Sequence, residues 1–434
     1  MSTFIKDVTS VGLSKVLMIF FSLVTSIITA RYIGPEGNGI IASLVVYPSL
    51  FMSIGSLGIR QSTTYFLGKN IFTEDEIKTT ITQIWTITSV FSIIICYLLM
   101  SFFSNSGADL TLVFLALLPI PFSLFNTYNS GIFLGKNDIK TFNKINWIPS
   151  LILLMGTTLF VALFKIGVHG AMIAMIGGPL SMFIILLIKN KLLSHFSIKY
   201  KWNIIKPMLS LGITYAFSLF IINLNYKTNL ILLDKLSNPY ELGIYSKGAS
   251  ITEYLWQIPM LFSTIVFARS ATSKNDYQFS LKVAHLLRIS LLAIGFLSIL
   301  LLLLSERIIL LMYGIKFKDS ITVLNYLLPG VLILTFYKVM NMDLAGKGKP
   351  WVAMWAMIPS LVINIIMNLL LIPCMGANGA AISSTISYSI AGLLFLFLYS
   401  KTVNISVLEI LAYKKSDLDF LKSFFKKIGK NEKI

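Results

Sequence analysis

Stretches of about twenty apolar residues recur along this chain with short polar gaps between them, and that rhythm constrains the fold more than any other feature. A helix that crosses a bilayer needs about 20 mostly apolar residues. Such stretches lie near residues 10–33, 39–66, 79–103, 110–134, 145–165, 169–188, 207–233, 242–268, 286–305, 322–345, 352–373 and 378–400. Twelve spans, six in each half, are therefore expected. Of the 434 residues 56% are hydrophobic and 12% charged, more apolar surface than a water-soluble chain can cover. Gly, Ser, Thr and Asn dot the spans, which suits close helix approach and hydrogen bonding inside a bundle. No β-barrel alternation is visible, so the predicted class is an all-α polytopic membrane protein. The first apolar segment follows Lys6, but Ile28-Thr29-Ala30 makes a poor cleavage site, and it is read as a membrane helix.

The two halves echo each other. Ile148, Pro149, Ser150 and Leu151 match Ile358, Pro359, Ser360 and Leu361 at an offset of 210 (358 minus 148). Gly167, Gly170 and Ala171 match Gly376, Gly379 and Ala380 at 209 (376 minus 167). The turn from Ala30 to Gly39, rich in Gly and Pro, has its counterpart at Asn238 to Tyr245. Several matches in register at half the chain length indicate two homologous lobes. The expected divisions are 1–188 for the first lobe, 189–206 for a basic linker, 207–400 for the second lobe and 401–434 for a basic tail. In that tail Ser416 and Asp419 suggest a capping box, followed by Leu418, Leu421, Phe425 and Ile428 on one face, the pattern of an interfacial helix on anionic lipid.

The formal charge of +18 is explained by where the basic residues fall. With the N-terminus inside, those at positions such as Lys69, Lys136, Lys201, Lys347 and the tail face the cytoplasm, and only Lys165, Lys235, Arg307, Lys316 and Lys318 face out. Both termini are thus expected in the cytoplasm, and the positive charge is no nucleic-acid footprint. His169, His195 and His285 fall on different loops, and no Ser/His/Asp or metal-ligand spacing occurs, so an enzyme is not expected.

Ala30-Arg31-Tyr32-Ile33-Gly34-Pro35-Glu36-Gly37, Gly243-Ile244-Tyr245-Ser246 with Glu253 and Pro259, Leu328-Pro329-Gly330, and Asn364, Asn368, Leu371-Ile372-Pro373 and Gly376 to Ala381 together resemble the polysaccharide-transport (Wzx-type, O-antigen) flippases of the multidrug/oligosaccharidyl-lipid/polysaccharide (MOP) exporter superfamily. Phe267-Ala268-Arg269 departs from the pattern, since relatives usually carry Pro before the Arg. The resemblance implies two six-helix, MATE-like lobes around a central cavity that opens alternately to each side. It implies a cargo of undecaprenyl-diphosphate-linked oligosaccharide, moved across a bacterial cytoplasmic membrane. Membrane lipids and a polymerase or ligase of the same pathway are the implied partners. No cofactor is implied; coupling to H+ or Na+ and to the membrane potential is considered.

Charged residues inside spans are costly and default to functional candidates. Those for a cationic cavity are Lys15, Arg60, Lys227, Lys247 and Lys338. Ser49, Ser53, Ser56, Arg60 and Thr63 read as one continuous polar stripe, and Lys15 and Arg60 are expected to converge on one anion. Asn225, Tyr254 and Gln257 join Ser53 and Ser56 as polar lining. Tyr128, Tyr226 and Tyr254 are candidates for stacking on sugar rings. Lys227 is equally readable as the ion-pair partner of Glu253 or Asp234, and Arg31 as that of Glu36. Asn364 and Asn368, in one stripe with Ser360, read as interhelical hydrogen-bond donors. A MATE-type multidrug cation antiporter and a lipid II flippase remain as alternatives; the scarcity of acids beside these basic residues disfavours the first. Glu253 and Asp234 are the acids best placed to couple an ion. For Glu253 that role requires Glu253→Gln to alter the pH dependence of transport in inverted vesicles; normal transport across a range of pH removes it.

Overall fold

The computed structural model describes residues 2–136, 138–197, 200–271, 273 and 275–413, without the side chains of 2–13, 139, 261, 262, 264, 265, 268 and 271. The expected tail helix around Ser416 and Asp419 lies outside the described residues, where all regular structure is helical. The first half contains α1 (Ser2–Gly55), α2 (Ile59–Gly68), α3 (Glu74–Phe103), α4 (Leu110–Leu117), α5 (Pro119–Gly135), α6 (Ile139–Asn146), α7 (Ile148–Thr157) and α8 (Gly167–Lys189). The second contains α9 (Trp202–Leu236), α10 (Pro239–Leu255), α11 (Gln257–Ala271), α12 (Asp276–Tyr313), α13 (Ser320–Gly346), α14 (Trp351–Val403) and the short α15 (Val407–Leu411).

Nine helical segments among the described residues are long and apolar enough to cross a membrane, which makes this a multi-pass membrane protein. Two of them, Ser14–Gly68 and Trp351–Val403, have 55 and 53 residues. Straight, each would run about 80 Å at 1.5 Å per residue, far beyond a hydrocarbon core of about 30 Å. Each instead folds back at a left-handed glycine, Gly34 (φ 84°) and Gly376 (φ 52°). Asn38 Nδ2 donates to Thr29 O at 2.9 Å and Ser360 Oγ to Ser387 O at 2.7 Å, contacts that only a folded-back helix can make. The expected count of twelve would require each of these two segments to cross twice and α10–α11, which is not among the nine, to cross as well. Gly167, the repeat mate of Gly376, also has a positive φ of 67°, so the echo in sequence is an echo in backbone.

Buried apolar side chains fall mainly into two clusters. One gathers Leu44, Tyr128, Met172 and their neighbours from the first half; the other gathers Leu233, Tyr313, Leu334 and Phe395 from the second. Two exchanges cross between them. Ala30 packs in the second-half cluster, and Ile204, Ile205 and Met208 at the start of α9 pack in the first. The described part of the linker does not hang free. Thr82 Oγ1 and Gln83 Nε2 donate to the carbonyls of His195 and Ser197, each at 3.0 Å, and His195 Nε2 meets Asp75 Oδ1 at 3.1 Å.

The halves touch at both ends. At the end that carries the Gly/Pro turns, a Cβ on Gly39 would overlap the Pro239 carbonyl, and one on Gly243 would overlap the Pro35 carbonyl. Pro239 stands to Pro35 as Gly243 to Gly39, 204 residues on in both cases. The two turns therefore clasp each other about a pseudo-two-fold axis, with glycine in each making room for the other's backbone. At the opposite, lysine-rich end, a Cβ on Gly58 would overlap the Gly212 carbonyl and one on Gly212 that of Leu57. Ser62 Oγ donates there to Met208 O at 2.6 Å.

This second contact corrects the stripe read along residues 49–63. Leu57 (φ 46°) and Gly58 (φ 60°) are both left-handed and separate α1 from α2. The helical phase is lost between Ser56 and Ile59, so Arg60 and Thr63 do not continue the face of Ser49 and Ser53. The span near 145–165 likewise ends in an unforeseen π-helical turn, Thr158–Leu163, and the eighth breaks at Trp256, between α10 and α11.

If the glycine clasp closes one end, Gly243→Val forces it apart. In a Cys374→Ser background, Thr25→Cys in the cavity wall should then react several-fold faster with a membrane-impermeant maleimide applied from the Gly/Pro-turn side. An unchanged labelling rate would show that this contact does not limit access.

Candidate functional site

Between the halves lies a cavity of about 370 Å³. Ser22, Ser26, Thr29 and Ser49 of α1 face Lys227 of α9 and Ser246, Lys247, Ser250 and Tyr254 of α10 across it. A helical step of three to four residues puts Ser22, Ser26 and Thr29 on one face and Lys247, Ser250 and Tyr254 on another, and the clasp brings the two faces together. The lining contains two lysines and no carboxylate.

The lysines are held differently. Lys247 is 7% exposed, and its ammonium donates across the cavity to Ser26 O (3.2 Å), Ser26 Oγ (3.1 Å) and Thr29 Oγ1 (2.9 Å). Three acceptors match its three N–H donors. The Tyr313 ring lies 5.5 Å from Lys247 Nζ, with its hydroxyl on Ser26 Oγ at 3.2 Å. All these partners are neutral, so the positive charge is solvated by oxygen but not cancelled. Lys227 makes no hydrogen bond or ion pair among the described residues. Of the two readings left open for Lys227, the pairing with Glu253 or Asp234 is not made among the described residues; Asp234 is buried at the far end of α9, where it accepts from Asn105 N at 3.3 Å.

A second cavity of about 110 Å³ adjoins the first and shares Lys227, Leu230, Ser246 and Ser250 with it. Tyr226, Tyr245, Trp256 and Tyr388 wall it, and Glu253 opens into it. Lys338 lines neither cavity. Its ammonium stacks on the rings of Tyr226 (4.1 Å) and Trp256 (4.5 Å), a cation–π arrangement that replaces water for a buried charge.

Other candidates are spread more widely. Lys15 Nζ donates to Met260 O in α11 at 3.2 Å, while the Arg60 guanidinium has no hydrogen bond or ion pair among the described residues; the two share no partner. Ser53 and Ser56 hydroxyls bond back to their own helix, to Ser49 O and Ser53 O at 3.5 and 3.1 Å. Gln257 begins α11 and lines neither cavity. Tyr128 is fully buried in the first-half core, donating to Gly55 O at 2.9 Å. Arg31 does not pair with Glu36. It donates from Nε to Met312 O at 3.0 Å and from Nη2 to Leu311 O, placing a cation on the carbonyl end of α12, where the helix dipole favours it.

Asn225 belongs to a buried ladder rather than to the cavity wall. Asn364 Nδ2 donates to Asn225 Oδ1 (3.2 Å), Asn368 Nδ2 to Asn229 Oδ1 (2.7 Å) and Ser387 Oγ to Asn225 Oδ1 (2.9 Å). The interhelical role read for Asn364 and Asn368 is what the structure shows, with α9 as the partner. Sequence reasoning did not reach Trp256 and Tyr388, which are 132 residues apart and carry no signal that they meet. It did single out Lys247, but nothing local shows that this lysine meets Ser26 and Thr29. Asn225→Val leaves the Asn364 amide without its side-chain acceptor, at a cost of about 1–3 kcal/mol. Thermal unfolding in detergent should drop by several degrees, and Asn225→Val/Asn364→Leu should cost less than the two single changes together.

Comparison with known proteins adds to this geometry. A family model described as polysaccharide biosynthesis protein matches residues 28–322. A search of curated proteins gave no match. Among solved structures, the lipid II flippase MurJ in an inward closed conformation superposes with a TM-score of 0.76 at 15% identity, over 96% of this chain and 92% of that one. An inward-facing multidrug resistance MATE family transporter of the MOP superfamily gives 0.72 at 14% identity, over 89% and 94%. A MOP superfamily transporter from Pyrococcus furiosus, described as having a binding pocket of reverse polarity that suggests a different function, gives 0.66 at 14% identity, over 92% and 95%. At these identities the likeness is one of fold: MATE-like helical lobes.

Proposed function

The chain belongs to the polysaccharide biosynthesis protein family, and from that premise we propose that it is a flippase. It carries undecaprenyl-diphosphate-linked oligosaccharide repeat units, of O-antigen or capsule type, from the cytoplasmic to the outer leaflet by alternating access. One observation carries this reading. The cavity between the halves is lined by Lys227, Lys247 and a set of hydroxyls with no carboxylate among them, a surrounding that favours an anionic headgroup and repels a cation. Lys247 and its hydroxyls can exchange neutral acceptors for diphosphate oxygens, and Lys227 offers an ammonium with no partner to give up among the described residues.

On this reading the lysine-rich end faces the cytoplasm of a bacterial cell, with both termini there, and lobes 1–188 and 207–400 rock about the cavity on the 189–206 linker. Cargo enters when Gly58 and Gly212 part, and leaves when the glycine clasp does. An anion moving outward across a negative-inside membrane gains about 2.3 kcal/mol per charge per 100 mV, which biases transport without any bound ion. Of the two acids considered for coupling H+ or Na+, Glu253 faces a cavity and Asp234 is fixed to Asn105. A polymerase or ligase of the same pathway would receive the product. A lipid II flippase shares the charge logic and differs only in headgroup; the cation antiporter does not share it.

Deletion in the host should abolish surface polysaccharide and accumulate lipid-linked repeat units on the cytoplasmic face. Complementation with Lys227→Glu should restore less than a tenth of the wild-type polysaccharide, and Lys227→Arg most of it. Intact polysaccharide with new sensitivity to cationic dyes would instead identify a drug antiporter, and a block in peptidoglycan precursors a lipid II flippase.

A further inference from the structure

We propose that the smaller cavity is a saccharide subsite that takes one sugar ring of the cargo, the ring next to the diphosphate, while the diphosphate lies beside Lys227 and Lys247. The proposal rests on the flippase reading above and adds where the sugar goes. The two cavities share four lining residues, so they are separated by no more than those side chains. Lys227 stands at that junction, where a sugar–phosphate bond would pass.

The walls suit a pyranose. The rings of Tyr226, Trp256 and Tyr388 lie 5.6–5.8 Å apart between centroids and tilt by 34–81° to one another, which forms a cup rather than a stack. The C–H faces of a sugar ring are apolar and pack on such aromatic faces, while its hydroxyls leave from the rim. The cup keeps its shape because Lys338 is stacked on two of its rings. A water takes about 30 Å³ of liquid volume, so about 110 Å³ is room for roughly four. That receives one face of a single ring, with the rest of the ring in the larger cavity.

The polar groups at the cup are those left without partners. Glu253 opens into it with no ion pair among the described residues. The Tyr226 hydroxyl is buried and has no hydrogen-bond partner among the described residues. Lys227 is likewise unpaired among them. A carboxylate that accepts, a phenol that does both and an ammonium that donates complement a ring of hydroxyls, each of which donates and accepts. Aromatic walls with one acid would also suit an organic cation, but Lys227 and Lys338 already bring two positive charges to the site.

The test uses the purified full-length protein and two probes, undecaprenyl diphosphate and undecaprenyl diphosphate bearing one hexose, with binding read from tryptophan fluorescence and native mass spectrometry. The wild type should bind the sugar-bearing lipid about tenfold more tightly. Tyr226→Phe and Glu253→Leu should each remove most of that preference and leave affinity for the bare diphosphate lipid unchanged, whereas Lys227→Gln should weaken both. Equal binding of the two probes by the wild type, or a preference that survives both Tyr226→Phe and Glu253→Leu, overturns the subsite and leaves the flippase standing. Failure of the wild type to bind either probe overturns the flippase reading itself.

Discussion

Inside hydrocarbon a polar group must find its partner within the protein, and this structure is organised around where that requirement is met and where it is not. Backbone groups are satisfied by helices throughout. Most side chains follow: serine and threonine hydroxyls return to their own helix, Asn225, Asn229, Asn364 and Asn368 form a ladder between α9 and α14, and Asp343 is surrounded by Ser270, Ser280, Tyr399 and Lys347. Among the exceptions, three charged side chains stand at the two adjoining cavities, one cavity between the halves and one walled by the second half alone. Among the described residues Lys247 is bonded only to neutral oxygens and Lys227 to nothing, and Glu253 faces the smaller cavity. A membrane protein that spends so much of its polar chemistry on internal bonding and then leaves charges facing a cavity has a site there.

The duplication explains how that cavity is bounded. Each half contributes one Gly/Pro turn, and glycines at matching places allow each turn to seat on the other's backbone. Glycine is needed because the neighbour is main chain, which cannot move aside as a side chain can. Gly58 and Gly212 do the same at the other end without being repeat mates, so the two closures differ in construction. Contacts made of close backbone approach and few polar bonds can separate as rigid surfaces, which the alternating access proposed above would require of both ends in turn.

Charge sets the chemistry of the cavity and aromatic surface its shape. The ammonium of Lys338, expected among the cargo-binding groups, is instead spent on Tyr226 and Trp256, where it orders an aromatic wall. A lysine in the middle of a span thus has three fates in this one chain: solvated by hydroxyls, stacked on rings, or left unpaired. Only the neighbours across helix interfaces decide which.

The amino-acid sequence by itself determined that this is a helical membrane protein built from two related halves, because hydropathy and repeats are properties of contiguous residues. It also brought out Lys227, Lys247 and Glu253, because charge within an apolar span is visible without a fold. Other matters were decided only in three dimensions. The break at Leu57–Gly58 depends on a close approach to Gly212, the bond of Arg31 to the end of α12 on a partner some 280 residues away, and the Asn ladder on a distance of 139 residues. None of these has a local signature. Sequence shows which groups must be compensated, and packing between distant helices decides what compensates them.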